Sequence, residues 1–142
     1  MFLCDSGPLI AASIRDDDDH RLCVNLFLAL HLNGERLLVP PSVIAEVDYM
    51  LERLGSPAHE AAFLRSVAAS DFEPINLTVA AYARMLELVE QYDDLPLGTT
   101  DASVIAVAER LGVTEIVTLD ARHFRIVRPR HTDAFVLLPD SR

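Results

Sequence analysis

LGTTDASVIAVAERLGVTEIVTLD, from Leu97 to Asp120, is the stretch that decides the fold. Gly98 and two threonines precede a segment rich in alanine, valine and isoleucine, and Gly112 follows it, which is the pattern of a buried helix with start and stop signals. The next run is short, apolar and β-branched, as is typical of a strand buried on both faces, and we expect it to reach as far as Asp120. Asp101 then lies in the first turn of the helix and Asp120 at the end of the strand.

Short strand patterns alternate with helix patterns along the rest of the chain. Besides the strand at 115–119, strands are predicted at 1–4, 37–39, 73–76 and 135–138. Besides the helix that Gly112 ends, helices are predicted at 9–14, 20–32, 42–54, 58–69 and 79–92. There is no internal repeat, low-complexity segment or long linker, so we expect one domain. The alternation predicts an α/β fold with a mainly parallel central sheet and helices on both faces.

Four carboxylates fall at equivalent places in this pattern. Asp5 follows the first strand, and Glu46 lies one turn into the helix that follows the second strand, at the edge of its apolar stripe. Because sites in parallel sheets form outside the carboxyl ends of the strands, we expect a shared site. Its members are Asp5, Glu46, Asp101 and Asp120. Each also has a simpler explanation, since the aspartates could cap turns or helices and the glutamate could form a salt bridge.

Clustered carboxylates repel one another, and a hard divalent cation with oxygen ligands removes that repulsion. We expect Mg²⁺ or Mn²⁺ rather than zinc, because no histidine or cysteine joins the set. Such a site supports phosphoryl chemistry with a metal-activated water. Ser6, Thr99 and Thr100 are near enough to orient that water, although helix capping is the simpler role for the threonines.

At this point the sequence resembles the PIN-domain ribonucleases, specifically the VapC-type toxins of prokaryotic toxin–antitoxin pairs. The order and spacing of four segments carry the resemblance: MFLCDSGPLIA, PSVIAEVDYML, LPLGTTDASVIAVAERLG and IVTLDARHF. It implies a PIN-like nuclease domain over residues 1–142. Its catalytic and metal-binding acids would be Asp5, Glu46, Asp101 and Asp120. It also implies Mg²⁺- or Mn²⁺-dependent endonucleolytic cleavage of RNA, a homodimer, and a cognate antitoxin with a segment lying across the acidic site.

The chain departs from the family pattern at one place. Many relatives carry another acid shortly after the strand-end aspartate, where this chain has Arg122-His123-Phe124. The difference leads to the hypothesis that one ion binds firmly and a second binds weakly or only with substrate.

The net charge of −10 argues against binding to RNA or to a membrane by overall charge, so RNA must be held locally. A run without acids, which we call the arginine run, follows Asp120: it contains Arg122, His123, Arg125, Arg128, Arg130 and His131. It could contact phosphates and stack on bases. It could equally be a solvated face that offsets neighbouring acids.

Cys4 and Cys23 lie in apolar runs, and we expect them to be reduced core residues of a cytoplasmic protein. No segment offers the roughly 20 apolar residues of a transmembrane helix, so no membrane partner is expected. The main alternative to a nuclease is a catalytically inactive α/β interaction module whose acidic cluster binds a cationic partner segment.

Overall fold

The structure, a computed structural model, describes residues 1–139. Within that range the strands are β1 (Phe2–Cys4), β2 (Leu37–Val39), β3 (Glu73–Pro74), β4 (Glu115–Val117) and β5 (Val136–Leu138). The helices are α1 (Ser6–Ser13), α2 (His20–Leu32), α3 (Pro41–Leu54), α4 (Pro57–Ala68), α5 (Val79–Gln91), α6 (Thr99–Leu111) and α7 (Ala121–Ile126). The predicted α/β class is confirmed.

The strands form one sheet in the order β3-β2-β1-β4-β5, and every pair in it is parallel. The central strand β1 places Leu3 opposite Leu38 on one side and opposite Ile116 on the other. Because parallel crossovers are right-handed, the connections leading toward β3 and those leading toward β5 cover opposite faces of the sheet. The order therefore reverses between β1 and β4, and a crevice opens at their carboxyl ends.

The core lies around β1 and α6. Leu3, Leu38 and Ile116 on the three central strands are completely buried. Helix α6 is buried at seven consecutive positions, 102–108, which explains why its sequence contains so much alanine and valine. Gly112 ends it with a φ of 69°, a left-handed conformation that glycine adopts without strain. Cys4 is also buried and unpaired, in agreement with the expectation of a core thiol.

Helix α1 begins earlier than predicted. It starts at Ser6 rather than Leu9, directly after Asp5, whose Oδ1 accepts a hydrogen bond of 2.8 Å from the Ser6 N–H. Pro8 is tolerated there because the first turn of a helix has no internal partner for its N–H groups. The Ser-Gly-Pro segment is therefore the first turn of the helix and not a turn that precedes it.

The region after β4 also differs from the prediction. The strand ends at Val117 instead of reaching Asp120, and Asp120 occupies the N-cap position of α7, a helix that the sequence pattern does not predict. At the opposite edge of the sheet, β3 has two residues instead of the predicted four and ends at Pro74, a residue confined to edge strands because it cannot donate to a ladder. Within residues 1–139 no helix is long and apolar enough to cross a bilayer.

Candidate active site

The carboxyl ends of β1 and β4 open into a cleft of 520 Å³. All four predicted carboxylates line it, and so do the three predicted hydroxyl residues. The lining consists of Asp5, Ser6, Gly7, Glu46, Gly98, Thr99, Thr100, Asp101, Leu119 and Asp120. The sheet thus brings together acids that are as far apart in the chain as Asp5 and Asp120, as the strand-end argument predicts.

Asp5 forms the floor of this acidic cleft. It directly follows β1, only 5% of it is exposed, and its backbone N–H donates to the Val117 carbonyl over 2.9 Å. Its Oδ2 accepts a hydrogen bond of 2.9 Å from the Thr118 hydroxyl. Burial raises the pKa of Asp5 to about 6, and the nearby negative charge of Asp101 contributes to that rise, against the opposing effect of its two hydrogen bonds. The two hydrogen bonds hold the carboxyl group in one orientation, while burial and the charge of Asp101 disfavour its ionised form.

Asp101 is the third residue of α6, where the helix dipole favours an anion. Its side chain is 16% exposed, and burial raises its pKa. His123 opposes that rise, because its Nδ1 lies 2.6 Å from Asp101 Oδ2. The first acid of the helix is therefore already paired with an imidazole.

The other two acids lie closer to the surface. Asp120 has 55% of its side chain exposed, and its backbone N–H donates to the Thr118 hydroxyl over 3.0 Å. The half-buried Glu46 adds to the negative potential that raises the pKa values of both Asp5 and Asp101. All four carboxylates thus share one electrostatic environment.

A buried hydroxyl pair joins the two helices that carry Glu46 and Asp101. Ser42 on α3 and the fully buried Ser103 on α6 have their Oγ atoms 2.5 Å apart, and Ser103 also donates to the Thr100 carbonyl over 2.6 Å. Ser42 lies one helical turn before Glu46, and Ser103 lies two residues after Asp101. This contact fixes the distance between the two helix segments at one wall of the cleft.

His123 is the site residue that the sequence analysis missed. Besides its contact with Asp101, its Nδ1 lies 3.5 Å from Asp120 Oδ2, so a histidine that was not counted among the expected metal ligands lies beside two of the four acids. The available signal is its position three residues after Asp120. On a helix that spacing places both residues on the same side, but no helix is predicted for this short segment.

The threonines do not cap α6. The N-cap residue is Gly98, so Thr99 and Thr100 occupy the first two positions of the helix itself. Both residues line the cleft, as does Ser6. All three predicted hydroxyl residues therefore lie in the wall of the cleft that holds the four acids.

The arginines of the arginine run lie in different surroundings. Arg122 and Arg125 lie on α7 and are exposed, and Arg128 is exposed just beyond it. Arg130 is exposed as well, and its guanidinium pairs with Glu87 Oε2 over 2.7 Å while its backbone N–H donates to Glu109 Oε2. It lines a separate cavity of 310 Å³ between α5 and α6. In these contacts Arg130 offsets the charge of two neighbouring acids, Glu87 and Glu109, as the second interpretation of the run expects.

The donor set of the cleft fits a hard divalent cation. It offers carboxylate oxygens under mutual repulsion, with the pKa of the most buried acid raised, and a cation would relieve that repulsion. Within residues 1–139, however, no three His, Cys, Asp or Glu side chains already stand together as a ready metal-binding group. Cation binding would therefore require side chains to turn toward a common point.

Comparison with known proteins agrees with this architecture. The family model described as the PIN domain matches residues 2–129. The chain belongs to the PIN-domain family. This confirms the resemblance found in the sequence.

Among curated proteins, this PIN domain is similar to Ribonuclease VapC26 of Mycobacterium tuberculosis. The two are 31% identical over 138 residues, which cover 96% of this chain and 99% of that protein. The similarity therefore extends over nearly the whole chain.

Solved structures share the fold of this PIN domain at lower identity. Mycobacterium tuberculosis VapC20, a toxin that cleaves the sarcin–ricin loop, has a TM-score of 0.72 at 15% identity, with 82% of this chain and 87% of that chain covered. VapBC2 of Rickettsia felis, bound to a DNA fragment from its promoter, has a TM-score of 0.68 at 15% identity, with 96% of each chain covered. A toxin–antitoxin complex from Klebsiella pneumoniae has a TM-score of 0.64 at 23% identity, with 96% and 100% covered.

Proposed function

We propose that this PIN domain is a Mg²⁺- or Mn²⁺-dependent endoribonuclease and the toxin of a toxin–antitoxin pair. The observation that carries the proposal is the acidic cleft at the β1–β4 switch point, where burial and like charge raise the pKa of Asp5 to about 6. Repulsion among clustered carboxylates destabilises the folded protein unless a cation neutralises them, so such a cluster indicates a cation-binding site. The similarity to Ribonuclease VapC26 over nearly the whole chain supports RNA as the substrate.

In this proposal the four acids bind the cation, and neighbouring groups hold them in place. A divalent cation held by these acids would lower the pKa of a bound water and offset negative charge on the scissile phosphate. Asp5 is fixed by the Ser6 N–H and the Thr118 hydroxyl, so it needs little reorganisation. The hydroxyls of Ser6, Thr99 and Thr100 orient the attacking water. The groups that bind the cation are Asp5, Glu46, Asp101 and Asp120.

RNA would approach along α7, which begins at the cleft. Arg122, Arg125 and Arg128 are exposed cations on that path, and they would contact phosphates on either side of the scissile bond. Arg130 contributes less in this proposal, because it already pairs with Glu87. An acidic protein can bind RNA in this way because the local balance of charge differs from that of the whole chain.

The expected partners and location follow from the same assignment. Two of the similar structures contain toxin–antitoxin assemblies, one named VapBC2 and one described as a toxin–antitoxin complex. We therefore propose a cognate antitoxin as the protein partner, a homodimer as the assembly, and the cytoplasm as the location.

The decisive experiment is to sequence RNA ends after brief expression of the wild type and of Asp101→Asn. The wild type should produce new 5′ ends at defined positions, and the variant should not, because the amide removes one anionic ligand at nearly unchanged volume. Asp18→Asn is the matched control, since Asp18 is exposed and lies outside the cleft. Intact RNA in all three samples would favour the inactive interaction module instead.

A further inference from the structure

We propose that His123 is a nitrogen ligand of the cation in the acidic cleft, together with Asp101 and Asp120, and that it gives the site a preference for Mn²⁺ over Mg²⁺. This inference rests on the proposed function, because it assigns a ligand to a cation whose binding is itself part of that proposal.

The first support is the position of the imidazole. His123 is the third residue of α7, and its Nδ1 lies between two carboxylates, 2.6 Å from Asp101 Oδ2 and 3.5 Å from Asp120 Oδ2. Two neighbouring ligand atoms on one octahedral cation, each about 2.1 Å from it, are about 3 Å apart. The two observed separations lie on either side of that value, so the nitrogen stands at about the distance from each oxygen that two ligands of one cation have.

The second support is that the imidazole ring is largely shielded from solvent beside the two acids. The His123 side chain is 18% exposed, whereas Arg122 and Arg125 on the same helix are exposed. The short contact with Asp101 requires a proton between nitrogen and oxygen, and a cation can take the place of that proton. The neutral ring then carries its remaining proton on Nε2 and leaves the Nδ1 lone pair for the cation.

The ion preference follows from the donor type. Mg²⁺ prefers oxygen ligands and gives up its water reluctantly. Imidazole nitrogen is a ligand of first-row transition metals rather than of Mg²⁺, and Mn²⁺ is the first-row ion that also suits the carboxylate oxygens of the cleft. A cleft with carboxylates alone has little means of separating the two ions, whereas one nitrogen donor favours Mn²⁺.

The test measures the binding of Mn²⁺ and Mg²⁺ by calorimetry for the wild type, His123→Gln and His31→Gln. His31 is the matched control because it is exposed on α2, where its Nε2 lies against the Asp71 carbonyl. We expect His123→Gln to weaken Mn²⁺ binding about tenfold or more and Mg²⁺ binding far less. Pulsed electron paramagnetic resonance of bound Mn²⁺ should show coupling to a directly bound nitrogen in the wild type and in His31→Gln, and none in His123→Gln.

The possible results separate the two proposals. Mn²⁺ binding without nitrogen coupling, and with an unchanged Mn²⁺-to-Mg²⁺ affinity ratio in His123→Gln, would overturn the role of His123 and leave the cation site standing. A wild type that binds neither ion would overturn the proposed function as well. If His123→Gln fails to fold, His123→Asp supplies oxygen in place of nitrogen, and it should lower the affinity ratio and abolish the coupling.

Discussion

The hydroxyl of Thr118 donates a hydrogen bond of 2.9 Å to Asp5 Oδ2 and accepts one of 3.0 Å from the backbone N–H of Asp120. This one side chain therefore connects an acid that follows β1 with an acid three residues beyond β4. Thr118 is 3% exposed, so water cannot replace either contact. The spacing of two cleft acids depends on a residue that bears no charge itself.

Replacing Thr118 with valine tests this connection. The shape is nearly conserved, but the buried Asp5 loses a donor, and we expect the free energy of unfolding at neutral pH to fall by about 1–3 kcal/mol. Chemical denaturation measures the change. Thr114→Val, at the opposite end of β4, is the control and should have a much smaller effect. Equal stability of the two variants would contradict the importance of the contact.

The pH dependence of stability should carry the signature of Asp5. Its pKa is about 6 in the folded protein against an ordinary value of 3.8, so the folded state binds the proton more tightly than the unfolded state does. Between these values the folded state holds more protons, and stability therefore falls as pH rises from about 4 to about 6. The loss attributable to this group approaches about 3 kcal/mol.

Asp5→Asn isolates that contribution in metal-free buffer. The variant lacks the titrating group. As pH rises from about 4 to about 6, the wild type should therefore lose unfolding free energy relative to Asp5→Asn. The exposed Asp18→Asn should instead follow the wild type. A constant difference between wild type and Asp5→Asn from about pH 4 to about pH 7 would contradict the raised pKa.

The fold was largely predictable because its signals are local. Gly98 and Gly112 mark both ends of α6, and the β-branched run that follows identifies β4. Alternation of strands and helices then implies a parallel sheet, and that sheet implies where its four carboxylates meet. The start of α1 was missed because Ser-Gly-Pro is typical both of a turn and of a first helical turn, and only the Asp5 cap distinguishes them.

The parts that were missed depend on contacts distant in the chain. Helix α7 has six residues, too few for a periodic pattern, so nothing placed His123 on the same side as Asp120. Its contact with Asp101 spans 22 residues and exists only because the sheet brings α6 and α7 to one edge. The pairing of Arg130 with Glu87 spans 43 residues and is equally invisible in the local sequence.

Cation binding should stabilise the folded protein through the cleft acids. Ions that bind only the folded state add about 2.7 kcal/mol at about one hundred times the dissociation constant. We expect Mn²⁺ to raise the melting temperature of the wild type, chelator to reverse the rise, and Glu46→Gln to reduce it. Glu52→Gln is the matched control on the same helix, because Glu52 is exposed and does not line the cleft. A rise of equal size in both variants would exclude Glu46 as a ligand.

The exposed arginines of the run should control RNA affinity and its salt dependence. For single-stranded RNA, a plot of log affinity against log salt concentration becomes steeper by about 0.7 for each phosphate that an arginine neutralises. The double variant Arg125→Ala with Arg128→Ala should therefore have a slope that is shallower by about 1.4. Binding is measured in the Asp101→Asn background, which keeps the RNA intact. Arg130→Ala serves for comparison and should change the slope less, because its guanidinium pairs with Glu87. If the double variant keeps the wild-type slope, Arg125 and Arg128 do not contact the RNA backbone. If Arg130→Ala lowers the slope as much per arginine as the double variant does, the pair between Arg130 and Glu87 opens when RNA binds.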